Sequence, residues 1–111
     1  MIFRVEVSGI EKLRERISER KLKKAVETGL RKGGYIIEGK AKARAPVRTG
    51  RLRSSIYSNM IDWNVLEVGA GVYYSEYVEF GTRKMRAKPF MVPAIRSTLS
   101  KIAEMIRRAL V

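Results

Sequence analysis

Residues 2–7 set Ile2, Val5 and Val7 among charged neighbours, an imperfect two-residue alternation that predicts a first strand. Ser8 and Glu11 then form a capping-box pattern, and Ile10, Leu13 and Ile17 recur at helical spacing, predicting a short helix over residues 9–18. A longer helical pattern covers residues 19–45, where Leu22, Val26, Leu30, Gly33, Ile37 and Ala41 make one apolar stripe. A straight helix of that length spans about 39 Å, at or beyond the width of a domain this size. It is therefore expected to kink near Gly33-Gly34 or Gly39, or to carry one end past the core towards a neighbouring subunit. Each of these glycines costs a helix about 1 kcal/mol relative to alanine, which predicts a close approach of another helix or a sheet.

Pro46 ends the long helix, because the residue before a proline is pushed out of the helical region. Thr49-Gly50 forms the turn that follows. Residues 52–60 and 64–72 carry strand formers on either side of Asp62, Trp63 and Asn64, and read as an antiparallel hairpin. Residues 73–80 suit one short helical turn, Gly81 to Pro89 a basic loop, and Pro93 the first turn of a last helix. Ile95, Leu99, Ile102, Ile106 and Leu110 supply the buried face of that helix. The fold class is α+β, a small antiparallel sheet packed against a long helix and a C-terminal helix. Residues 1–111 are read as a single domain, with a radius of gyration near 13 Å if compact.

Hydrophobic residues make up 45% of the chain, which excludes a disordered basic tail. No apolar run is long enough for a membrane span, and the alternating N-terminus lacks the apolar stretch of a signal peptide. A cytosolic product without a membrane partner is expected. Cysteine and histidine are absent, which removes thiolate chemistry, the usual metal ligand and the usual general base. Neither metal nor cofactor is expected, and no catalytic residue. Ser54 and Ser55 have no histidine to activate them. Gly69-Ala70-Gly71 lacks the spacing and lysine of a phosphate loop and reads as a strand end or bulge. Glu76 and Glu79 are expected to pair with nearby cations.

The formal net charge of +13 changes the picture most. Lys40, Lys42, Arg44, Arg48, Arg51 and Arg53 form one acid-free cluster, and Arg83, Lys84, Arg86 and Lys88 a second. Their heads are expected in solvent with their stems on apolar neighbours. Such clusters suit an acidic protein face or a non-specific contact with DNA, on which Tyr57, Tyr73, Tyr74 or Tyr77 would stack. No aromatic is interleaved within either cluster, and no sequence-reading motif is present, so specific DNA or RNA recognition is not expected.

Three segments then stand out together: Ala45–Ile56 with its Pro46, Thr49, Gly50 and Leu52; Tyr74–Thr82 with Val78, Glu79, Gly81 and Thr82; and Met85–Ile95 with Pro93 and Ala94. In this order and spacing the chain resembles the tail-component family typified by gene product ten of a lambdoid phage, over about residues 20–110. Arg48 stands where that family often has an acid, and Ser75 where alanine is common. The resemblance implies a non-catalytic structural virion protein of a long-tailed phage or prophage, located in the neck or tail. Copies would assemble into a homo-oligomeric ring that joins head to tail or completes the tail, beside other head–tail or tail proteins.

The residues themselves add that Tyr74, Tyr77, Phe80, Pro89, Phe90 and Met91 are candidates for the subunit interface, where aromatic anchors are usual. Phe80 and Phe90 fit a role in the monomer core equally well. Gly81 is expected to take a positive φ or to stand too close to a neighbour for a side chain. A small basic protein binding DNA without specificity is the competing reading, and an RNase-like toxin working through arginine and lysine a weaker third.

Overall fold

The computed structural model describes residues 1–10 and 16–111. The helix predicted over 9–18 falls largely outside these. The elements are β1 (Ile2–Glu6), α1 (Glu19–Arg44), α2 (Arg51–Ser55), β2 (Ile56–Asp62), β3 (Val65–Ala70), α3 (Ser75–Phe80) and α4 (Met91–Leu110). The expected α+β class is the one observed. Residues 52–55, the start of the strand predicted over 52–60, belong instead to the single turn of α2, and the last helix begins two residues before Pro93.

The sheet is antiparallel in the order β1-β3-β2. Pairing of Phe3 with Val68 and of Val5 with Leu66 directs these four side chains towards one face, where alternation along the strands requires them. An irregularity between Met60 and Asp62 ends the regular register just before the turn. On the opposite face, the Tyr57 hydroxyl donates to Glu67 at 3.1 Å, and Arg4 lies 3.9 Å from the same carboxylate.

The N-terminus of α1 is capped by Ser18, whose hydroxyl accepts the Lys21 N–H. The helix neither kinks into two nor extends bare beyond the core. Its buried residues run from Leu22 to Ala41, because α4 lies antiparallel against one flank while β2 and β3 cover another. Gly33 faces Ile102, and a Cβ there would overlap the isoleucine side chain. Gly34, one residue on, meets the sheet, with Leu66 Cδ1 2.9 Å from where a Cβ would stand. Gly33 and Gly34 thus serve the predicted close approach on two flanks of one helix, whereas a Cβ at Gly39 would meet nothing within 4 Å among the described residues. With these two long helices side by side, the molecule is longer than a compact chain, 54 Å by 23 Å by 20 Å with a radius of gyration of 15.9 Å.

Leu99, expected on the buried face of α4, is 44% exposed. The face that packs on α1 passes instead through Met91, Ala94, Thr98 and Ile102, steps of three and four that leave Leu99 to one side. Thr98 is tolerated there because its hydroxyl donates to the Ala94 carbonyl at 2.8 Å.

Candidate functional site

Pro46 does what its ring demands. Ala45 turns extended, with ψ of 131°, and the chain leaves α1. Gly50 then takes φ of +81°, a left-handed conformation that reverses the chain into α2. Thr49 Oγ1 accepts the Arg51 N–H at 3.4 Å, and Arg53 Nε donates back to the Lys42 carbonyl at 3.0 Å. Leu52 is buried, so α2 is held at both its edges while Arg48 and Arg51 remain in solvent.

The second and third segments are held together by a different set of contacts. Gly81 ends α3 with φ of +77°, and its absent Cβ would stand 2.7 Å from Ala87 N and 2.9 Å from Met85 O. Thr82 Oγ1 accepts the N–H groups of Lys84 and Met85, folding the basic loop into a turn. Lys88 N donates to Val78 O at 2.8 Å, which draws the end of that loop back across α3.

Glu79 fixes the result. Its carboxylate is buried, and it accepts the N–H groups of Phe90 at 3.3 Å, Met91 at 2.8 Å and Val92 at 3.2 Å. These donors belong to the cap and first two residues of α4, and the next residue is Pro93, which has none. All the backbone donors that the start of α4 leaves open are thereby accounted for. Among the described residues neither Glu79 nor Glu76 enters an ion pair, so the expected pairing with cations is replaced, at Glu79, by a helix cap from a distant element.

The three segments converge on one groove of about 560 Å³. Its apolar lining comes from Pro46 and Leu52, from Tyr74 and Val78, and from Met85. Arg48, Arg51, Arg86 and Lys88 bring cations to it, and no acidic side chain among the described residues lines it. The two basic clusters, separate in sequence, thus meet across α3. None of these four cations takes part in an ion pair among the described residues.

The other cations lie elsewhere. Lys40 Nζ donates to Ser97 Oγ at 3.1 Å and ties α1 to α4, while Lys42 pairs with Glu38 at 3.2 Å. Arg44, Arg53, Arg83 and Lys84 are exposed but do not line the groove. Of the interface candidates, Phe90 and Met91 are completely buried in the core and do not form surface. Their burial follows from the Glu79 cap, which pulls the start of α4 inward. Tyr74 is half-buried in the groove with its ring edge-on to Tyr73, and Pro89 is exposed. Tyr77 and Phe80 remain on the surface at 53% and 62% exposure, and Tyr73, just before α3, is 88% exposed. Among the described residues, no three acids gather closely enough to hold a metal ion, and no helix is long and apolar enough to cross a membrane.

Sequence reasoning missed both the groove and the cap. Its one local signal for the cap was Phe90 at a helix start where Ser, Thr, Asp or Asn is preferred, with no side-chain bond of its own. The floor residue Met85 carried no signal, because nothing in the sequence says that its loop folds back.

The fold is α+β, and its elaborated region is an open basic groove. The model of the family described as "Bacteriophage HK97-gp10, putative tail-component" matches residues 9–81, and the chain belongs to that family. It is a structural phage protein of the tail, and its place is the virion. The match takes in Pro46 to Gly81 but ends before the third segment. No curated protein and no solved structure matches the chain.

Proposed function

We propose that the chain is a non-catalytic ring component that joins head to tail or completes the tail, assembling with copies of itself and with neighbouring tail or head–tail proteins. The observation that carries this reading is α3, where Tyr77 and Phe80, one helical turn apart, are exposed within the family-matched region, with Tyr73 exposed just before the helix. Large aromatic side chains grouped on a surface mark contact sites, and they supply the anchors on which interfaces depend. A closed ring joins unlike faces head to tail, and the aromatic face would be one of the two.

Complementation of phage assembly tests it. A Tyr77→Asp, Phe80→Asp double variant is expected to fold, because both side chains already stand in water, yet to leave heads and tails unjoined or tails incomplete. Normal infectious particles from a well-expressed variant would overturn the proposal.

The net charge of +13 favours a second reading, a small basic protein that holds DNA without sequence preference. Duplex binding at physiological salt, lost steeply as salt rises, in a chain that never self-associates would support it over the ring.

A further inference from the structure

We infer that the groove between the 46–52 turn, α3 and the 85–88 loop is a docking site for an acidic segment with apolar side chains, borne by a different protein. The inference concerns another surface than the aromatic face and does not require a ring. Charge selects the occupant first. Among the described residues, Arg48, Arg51, Arg86 and Lys88 surround a concavity that no acid lines, and none of them has an ion-pair partner. Of the two acids of α3, Glu79 directs its carboxylate to the N–H groups of Phe90, Met91 and Val92, and neither it nor Glu76 lines the groove.

The floor selects next. Leu52, Tyr74, Val78 and Met85 line a space of about 560 Å³, large enough for one or two side chains. A phosphate backbone would answer the cations but has nothing to bury against that floor. A carboxylate-rich peptide with leucine or phenylalanine satisfies both. A second copy of the chain is a poor occupant of this groove, since the four cations call for an acidic surface and the copy carries a net charge of +13. The site is also held for binding: the Gly50 turn, the Thr82 turn and the Lys88–Val78 hydrogen bond fix its walls before any partner arrives.

The test is fluorescence anisotropy with the full chain and a labelled peptide of aspartate and glutamate interrupted by a Leu-Phe pair. An all-glutamate peptide of equal charge and a short DNA duplex serve as competitors. The peptide is expected to bind more tightly than the all-glutamate one. Arg86→Glu with Lys88→Glu should weaken it roughly tenfold or more, whereas Lys101→Glu with Arg107→Glu, the same charge change on exposed positions of α4, should weaken it far less. Met85→Ser, at a partly exposed position, should reduce peptide binding and leave the all-glutamate peptide unaffected. The inference fails if the peptide does not bind, or if both peptides bind equally. It fails also if both charge reversals act alike, if duplex DNA displaces the peptide from the same residues more strongly, or if self-association through Arg86 and Lys88 excludes the peptide.

Discussion

The Glu79 carboxylate accepts the Met91 backbone N–H at 2.8 Å, and through this contact the short α3 holds the first turn of α4. One side chain closes the N-terminus of a helix 12 residues away in sequence and places Phe90 and Met91 in the core. A charged acceptor facing several N–H groups at a helix N-terminus is a favourable arrangement, because the partial positive charge there offsets the anion.

Removing that carboxylate should therefore be costly. Glu79→Ala leaves buried N–H groups without an acceptor and is expected to lower stability by about 2–4 kcal/mol in urea unfolding. Glu79→Gln, which keeps an acceptor oxygen but loses the charge, should cost less. Hydrogen exchange at Phe90, Met91 and Val92 should accelerate in the alanine variant before exchange elsewhere in α4. Unchanged exchange there would mean that the cap does not hold the turn.

Gly81 meets two independent demands, a φ of +77° and backbone atoms within 3 Å of where a Cβ would stand. Gly81→Ala is expected to cost on the order of 1–3 kcal/mol from the backbone conformation, with the contact to Ala87 and Met85 adding to it. Because the loop that starts here supplies Met85, Arg86 and Lys88, peptide binding in the groove should weaken in the same variant at temperatures where it is folded. A thermal midpoint equal to that of the parent chain would count against this account.

At the α1–α4 contact the sign of an effect should reverse with context. Gly33→Ala forces a methyl group against Ile102 and should destabilise, although alanine is the better helix former. Ile102→Ala alone removes a buried side chain and should cost about 2–5 kcal/mol. In the Ile102→Ala background, Gly33→Ala should become neutral or stabilising by up to about 1 kcal/mol. Simple additivity in the double-mutant cycle would show that the helices do not meet through this pair.

Tyr57 is held above the ordinary tyrosine range, first by burial, then by its hydrogen bond to Glu67 and by that carboxylate's charge. The folded chain thus binds the phenolic proton more tightly than the unfolded chain does. Its contribution to stability is complete below the unfolded value near 10 and is lost as pH rises through the higher folded value. Absorbance at 295 nm is expected to show one late-titrating tyrosine, which should titrate earlier in Glu67→Gln. A Tyr57 that titrates at the ordinary tyrosine value near 10 would contradict the Glu67 contact.

Much of the fold was legible because its signals are local. The apolar stripe from Leu22 to Ala41 marked α1, Pro46 its end, and Asp62-Trp63-Asn64 the hairpin turn, each through a rule acting over a few residues. The α2 turn was misread because Leu52 and Ile56 favour a strand, while Gly50 and the packing of Leu52 commit Arg51–Ser55 to a helix first. Leu99 was misplaced for a related reason. Helical period alone cannot say which of two adjacent faces meets α1, and Gly33 decides it by accepting Ile102.

By itself the sequence determined the α+β class, the long helix and its end, the excess of cations, the lack of histidine and cysteine, and the spaced segments that resemble a phage tail family. Periodicity, proline geometry and side-chain chemistry act at short range, so they can be read along the chain. Tertiary structure alone decided that Glu79 caps α4, that Phe90 lies inside while Tyr77 and Phe80 lie outside, and that Arg48 and Arg51 share one groove with Arg86 and Lys88. These relationships join residues far apart in sequence, and they exist only once Pro46, Gly50 and Gly81 have turned the chain back on itself.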